Sequence, residues 1–141
     1  DVSLPSYFFA IYAVLVARYT YRPTLSFNLT NLQLATAPQI TIHIGKNPFF
    51  TDLVQQIDSS IPPITLYPVQ FQMHHPNLSL TLELDVFDDE IHPYLAYSHN
   101  FIGRKHLVQL LEHYRTLFVH FTQRPGLYIE SIPLKISSMI I

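Results

Sequence analysis

Alternating apolar and polar residues predict the strands of this chain. The alternation is most regular in "LSLTLELDVF", where leucine or valine occupies every second position and gives the strand one apolar face. The predicted strands cover residues 24–31, 39–45, 64–71, 78–87 and 91–98, and a short strand or extended tail covers 127–134. Pro68 lies inside the third strand, which is therefore expected at a sheet edge or in an irregular conformation. The acidic turn "DDE" joins the fourth and fifth strands into a predicted hairpin.

Helical spacing predicts three helices, at residues 5–20, 46–58 and 103–123. The first opens with Pro5, which suits a first helical turn, and its apolar residues lie nearly all round, which indicates a helix covered on every side. The second is expected to be capped by Asn47 and opened by Pro48. The third is expected to end before Pro125. Its apolar stripe consists of Leu107, Leu110, Leu111, Tyr114, Leu117, Phe118 and Phe121.

Composition adds an apolar excess to this picture. The 141 residues suit one domain. Hydrophobic residues make up 48% of the chain and charged residues only 13%, about half of the usual share. Such a chain is either a compact, aromatic-rich domain or one with a large apolar face that a second lobe, a neighbouring domain or a second copy covers. The second interpretation is favoured, because one small sheet covers only one side of the all-apolar first helix.

Charge and residue content exclude several classes of function. With a net charge of −2 the chain has no basic excess to neutralise phosphates, so nucleic-acid binding is not expected. The absence of cysteine excludes disulfides and thiol nucleophiles and fits a reducing, cytoplasmic compartment. Three glycines are too few for a glycine-rich phosphate-binding loop. The longest apolar stretch, 4–17, is shorter than the about 20 residues of a membrane span, so no membrane association is expected.

The eight histidines include two groups that invite a chemical role. His74 and His75 are adjacent in "QFQMHHPNLSL", but neighbours on an extended chain point to opposite faces, so they are interpreted as half-exposed histidines at the start of a strand. His106, His113 and His120 are seven residues apart on a helix. That spacing is about 10.5 Å, too far for one metal ion, so they are interpreted as residues at the border of the apolar stripe, useful at an interface. No metal site is predicted.

The acidic residues Asp85, Asp88, Asp89 and Glu90 cluster at the predicted hairpin turn. Paired carboxylates can act as general acid and base, but acids at a turn are usually solvated, and that interpretation is preferred. The serines show no nucleophile elbow. No catalytic residue is therefore predicted.

Three segments resemble one known family. "YFFAIYAVLVARYTYRP", "QITIHIGKNPFFTDLVQQI" and the stretch from "LELDVFDDEIHPYLAYSHN" to "ESIPL" are similar, in this order, to the C-terminal lobe of condensation domains of nonribosomal peptide synthetases. The resemblance covers nearly the whole chain. The positions that follow the family pattern are Tyr97, Phe101, Leu107, His113 and Leu117.

The resemblance implies an α+β fold, a single chloramphenicol-acetyltransferase-like lobe with a mixed β-sheet and helices mainly on one face. In the family, two such lobes enclose a tunnel that receives phosphopantetheine thioesters on carrier proteins, and the catalytic HHxxxDG motif belongs to the N-terminal lobe. The pair His74-His75 is no substitute, because "PNLSL" follows it where the motif requires aspartate and glycine. The segment after residue 56 also lacks the family's next helix, which implies a truncated copy.

Residues 1–141 are therefore expected to form a truncated, non-catalytic condensation-like domain, a structural or docking platform for an adjacent adenylation or carrier domain of the same synthetase, or a homodimer. No cofactor is expected on the chain itself, since phosphopantetheine belongs to a partner carrier protein. The alternative is the C-terminal half of an active, amide-forming condensation domain whose catalytic lobe lies elsewhere. A small-ligand-binding module is a third, generic possibility.

Overall fold

A computed structural model describes residues 3–46, 49–73, 80–97 and 104–124. Within these ranges a 3-10 helix covers Ile44–Lys46, and the chain forms three α-helices and five strands. They are α1 (Leu4–Thr20), β1 (Thr24–Asn31), β2 (Gln39–His43), α2 (Phe50–Ser60), β3 (Val69–Met73), β4 (Leu80–Phe87), β5 (Glu90–Tyr97) and α3 (Arg104–Gln123). The tail predicted at 127–134 lies outside the described residues, as do Asn47 and Pro48. The N-cap of α2 is Phe49, so the prediction that Asn47 caps this helix is wrong.

The five strands form one sheet in the order β2-β1-β3-β4-β5. Every pairing among the five described strands is antiparallel, so for these strands the prediction of a mixed sheet is wrong, while the α+β class is confirmed. The topology explains the difference. The connection through α2 joins β2 to β3, which run in the same direction, but β1 lies between them and pairs with both. The parallel strands β2 and β3, which α2 connects, are therefore not hydrogen-bonded to each other.

Of the two expectations for Pro68, the irregular conformation is confirmed, because residues 64–68 lie outside any strand, and the edge position is wrong. β3 begins at Val69, directly after that proline, and lies between β1 and β4. A proline at the start of a strand leaves the later ladder intact. The proline that does lie inside a strand is Pro93 in β5, an edge strand of the described sheet, where a missing N–H can face away from the ladder.

The hairpin of β4 and β5 is confirmed, with Phe87 paired to Glu90. Its two-residue turn consists of Asp88 and Asp89, whose φ angles are 53° and 62°. Positive φ at both central residues matches the right-handed twist of the flanking strands, and aspartate tolerates this region better than most residues. The acidic residues thus build the turn.

Helix α1 forms the centre of the core. From Phe8 to Val16 every residue is buried. The Phe9 ring stacks on Phe71 of β3 at 4.2 Å and meets Phe27 of β1 edge-on at 4.9 Å. The buried Tyr12 hydroxyl donates a 2.6 Å hydrogen bond to the Leu80 carbonyl of β4. One side of α1 is therefore covered by the apolar face of the sheet.

The other two helices cover the remaining sides of α1. Phe50 of α2 contacts Tyr7 edge-on at 5.3 Å and stacks on Phe121 of α3 at 4.0 Å. Phe8 stacks on Phe118 of α3 at 5.6 Å. The expectation that an all-apolar first helix requires a partner is therefore wrong for α1, because α2 and α3 of the same chain supply the cover.

The start of α1 is held by a carboxylate from another helix. Ser3 is the N-cap, and its hydroxyl accepts from the Ser6 N–H. Asp58 of α2 accepts from the Ser3 N–H and from the hydroxyls of Ser3 and Ser6, at 3.1, 2.9 and 2.7 Å. These hydrogen bonds, that of Ser6 foremost, lower the pKa of Asp58. The carboxylate ties α2 to the N-terminus of α1, where negative charge is favourable.

Candidate functional site

The structure separates the histidines that the sequence singled out. His74, His75 and the side chain of His106 lie outside the described part of the chain. His120 is exposed near the end of α3, whereas His113 is half-buried. The border position predicted for these residues thus holds for His113, and His120 points to solvent.

His113 is paired with a buried tyrosine. Its Nδ1 and the Tyr19 hydroxyl of α1 share a 2.7 Å hydrogen bond, and the two rings meet edge-on at 5.7 Å. Burial lowers the pKa of His113 below its usual value, nearby Glu112 acts in the opposite direction, and Arg18 lowers it further. The neutral imidazole is therefore favoured in this α1–α3 contact.

We expect the chain to lose stability as the pH falls from about 7 to about 5, since a histidine with a lowered pKa binds fewer protons folded than unfolded. The contribution of His113 to the free energy of unfolding is complete above the pKa of about 6.5 that histidine has in the unfolded chain. This contribution is lost as the pH falls towards the lower pKa of the folded state. Urea unfolding at several pH values measures this. His113→Asn keeps an acceptor for Tyr19 and should flatten the pH dependence.

His120→Asn is the matched control, because it removes an exposed histidine from the same helix. It should leave the pH dependence unchanged. An unaltered pH dependence in His113→Asn would show that the His113 pair does not couple protons to folding.

The acidic cluster is spread over both sides of the hairpin turn. Asp88 and Asp89 are exposed. Asp85 accepts a 2.8 Å hydrogen bond from the Val86 N–H. The Glu90 carboxylate oxygen Oε2 lies 3.9 Å from Nε2 of His92. In the described residues no group of three or more histidine, aspartate or glutamate side chains is arranged to hold a metal ion. Among the helices described, none is long and apolar enough to cross a bilayer.

The two faces of the sheet differ sharply in chemistry. One face is apolar and carries the helices. The other is lined mainly by polar side chains, including three carboxylates, Glu83, Asp85 and Glu90, with Phe87 beside them. Gln70 donates a 2.7 Å hydrogen bond to Glu83 across the β3–β4 pair, and Ser26 lies 3.4 Å from Thr41 across the β1–β2 pair. Such a face is usual for an antiparallel sheet with one side in water.

The connector between α2 and β3, residues 61–68, is held by two side-chain amides. Asn31, which is buried, donates to the carbonyls of Leu66 and Pro68 at 2.7 and 3.1 Å. Gln33 donates to the Pro63 carbonyl and accepts from the N–H groups of Thr65 and Leu66. We call Asn31 and Gln33 the amide clasp. Beside it lies a shallow depression of about 180 Å³ lined by Thr30, Asn31, Leu32, Pro68 and Gln70.

An apolar surface lies at the free end of the β4–β5 hairpin, on the side of the sheet that carries the helices. Leu84 is fully buried, but Val86, two residues further along the same face, is 42% exposed. Ile91 and Leu95 on β5 are half-buried and Pro93 is exposed. We call Val86, Ile91, Pro93 and Leu95 the hairpin surface. The sequence predicted the hairpin, but not that the helices stop short of its end.

The family-like positions have mixed surroundings. Leu117 is buried, and Tyr97 and His113 are half-buried. Phe101 and the Leu107 side chain fall outside what the structure describes. Comparisons with protein-family models, curated proteins and solved structures find no match for this chain. The condensation-domain resemblance remains an interpretation of the sequence, and the α+β architecture is what the structure adds to it.

Proposed function

We propose that the chain is a non-catalytic, condensation-like domain of a nonribosomal peptide synthetase that docks a neighbouring domain. The observation that carries the docking role is the hairpin surface, where an apolar sheet face continues past the helices that cover the rest of it. Apolar residues next to a core are normally covered, and an uncovered continuation of a core face is typical of an interaction site.

Burial along β4 marks where the cover ends. Leu80, Leu82 and Leu84 are at most 2% exposed, and the next residue on that face, Val86, is 42% exposed. Its cross-strand partner is Ile91, and Pro93 pairs with Leu84. The exposed residues thus form one patch across two strands, adjacent to the buried leucines.

Charge at the hairpin turn restricts the kind of partner. The exposed turn acids Asp88 and Asp89 border the hairpin surface, whereas Glu90 pairs with Phe87 and lies on the opposite face. In a complex that covers the apolar patch, the residues at the edge of the partner's interface, its rim, lie close to the carboxylates of Asp88 and Asp89. A rim with lysine or arginine is favoured, because like charges placed together oppose association. The partner proposed is the adjacent adenylation or carrier domain of the synthetase, and no catalytic role is proposed for the chain itself.

The test is binding of the adenylation or carrier domain encoded beside this chain, measured by calorimetry. Val86→Asp places a charge in the patch and should weaken binding at least about tenfold, the size of effect typical of a central interface residue. The control is Phe87→Asp, since Phe87 is 65% exposed but points to the opposite face of the sheet. Melting temperatures confirm that both variants fold.

Three results would contradict the proposal. One is equal binding of wild-type and Val86→Asp, and another is a loss confined to Phe87→Asp. The third is a coding region without either domain. Incubation with donor- and acceptor-loaded carrier proteins gives a separate check, because amide product would instead favour the active-domain alternative.

A further inference from the structure

The outer face of α3 carries aliphatic side chains exposed to solvent. Val108 is 51%, Leu111 45% and Val119 43% exposed. The core-facing side of the same helix buries Leu110, Tyr114, Leu117 and Phe121. The predicted apolar stripe therefore needs one correction, since Leu111 points outward. A helix that has already buried one apolar side has no packing reason to place three aliphatic residues on the other.

The exposed residues form one stripe. At about 100° per residue, Val108, Leu111, Glu112, Arg115 and Val119 fall within roughly a third of the helix circumference. We call these five residues the outer stripe. Glu112 and Arg115 are both exposed. In the described part of the chain neither has an ion-pair partner.

The outer stripe is complementary to itself in the antiparallel direction. Glu112 and Arg115 lie equally far from the point between His113 and Tyr114, and so do Val108 and Val119. A second α3 rotated by a two-fold axis through this point brings Glu112 opposite Arg115 twice and Val108 opposite Val119 twice. Opposite charges in the middle are flanked by apolar contacts at both ends.

We infer that the chain self-associates through the outer stripe, as a two-fold dimer with antiparallel α3 helices and two reciprocal Glu112–Arg115 ion pairs. A two-fold interface requires a patch that is complementary to itself, and this pattern of charge and apolar residues meets that requirement. A foreign partner gives no reason for the symmetric placement. The inference is independent of the hairpin surface, which lies on β4 and β5. The helix pair is small for an interface, so the dimer is a weak one.

Charge reversal tests the inference by sedimentation of the full chain over a range of concentrations. The wild type is expected to shift from monomer to dimer mass as the concentration rises. Glu112→Arg alone and Arg115→Glu alone should each stay monomeric, because each places like charges opposite one another. A one-to-one mixture of the two variants should dimerise again, since every position then faces its opposite charge.

Cysteine pairing tests the register, because the chain has no native cysteine. A mixture of Val108→Cys and Val119→Cys chains should form a mixed disulfide. Each variant alone should form little disulfide. In the dimer its two cysteines, one on each helix, would lie about 16 Å apart along the helix axis. Melting temperatures of all variants should match the wild type, as these side chains are exposed.

The inference is overturned by a wild type that stays monomeric at the highest soluble concentration. It is equally overturned by a dimer that both charge reversals leave intact, or by single variants that dimerise while their mixture does not. Binding of an adenylation or carrier domain that the charge reversals abolish, with no dimer, would assign the outer stripe to a different partner.

Discussion

Replacing Phe9 by alanine is expected to lower the free energy of unfolding by about 3–5 kcal/mol. Domains are typically stable by only about 5–15 kcal/mol, so the variant should be close to unfolding at room temperature. Phe9 is fully buried and its ring contacts aromatic rings on two strands, Phe27 and Phe71. The substitution removes two ring contacts that hold α1 on the sheet and leaves a cavity that Tyr12, Phe27 and Phe71 fill poorly.

Urea unfolding followed by circular dichroism measures the effect. Phe9→Leu is the graded control, since leucine fills part of the space. Its loss in free energy of unfolding should be less than half of the loss in Phe9→Ala. Leu32→Ala controls for loss of apolar area in general, because Leu32 is 82% exposed. A cost below about 1 kcal/mol for Phe9→Ala would mean that α1 is not the centre of the core.

Replacing Asn31 by alanine is expected to cost about 1–2 kcal/mol, since two hydrogen bonds from its buried amide are lost while water can reach the part-buried carbonyls of Leu66 and Pro68. Asn28→Ala is the matched control, because Asn28 lies on the same strand but faces the polar side of the sheet. It should cost well under 1 kcal/mol. Equal losses in the two variants would contradict a specific role for Asn31.

The second member of the amide clasp gives a local readout. Gln33→Ala removes the acceptor of the Thr65 and Leu66 N–H groups, which lie 2.9 and 3.0 Å from Oε1. Hydrogen exchange at these two amides should accelerate, while exchange in β4 should stay unchanged, because the connector can open without the sheet. Unchanged exchange at both amides would show that other contacts hold the connector.

Periodicity located most elements because burial in this fold follows it. β1 occupies the predicted residues 24–31, since Leu25, Phe27 and Leu29 all face α1 while their neighbours face water. α1 begins within one residue of its predicted start because Pro5 and the Ser3 cap act locally. These signals lie within a few residues of the structure they specify.

Long-range contacts could not be predicted in the same way. The Asn31 and Gln33 amides hold groups more than 30 residues away in the chain, and nothing in their immediate sequence identifies those partners. The cover of α1 depends on where α2 and α3 pack, which apolar content alone does not reveal. The exposure of the hairpin surface depends on how far the helices extend over the sheet, and the exposure of the outer stripe depends on which side of α3 packs on the core. The spacing of Leu111 predicts a place in the core, and only packing shows that its side chain is exposed.

Pro93 has a consequence for the behaviour of the chain at high concentration. β5 has eight residues and lies at one edge of the described sheet. A long, apolar edge strand is a template for strand addition from another chain and for aggregation. Because Pro93 has no N–H, the exposed edge cannot donate an uninterrupted row of hydrogen bonds to an incoming strand. The hairpin can therefore present apolar side chains to a partner with a reduced risk that the sheet grows into a fibril.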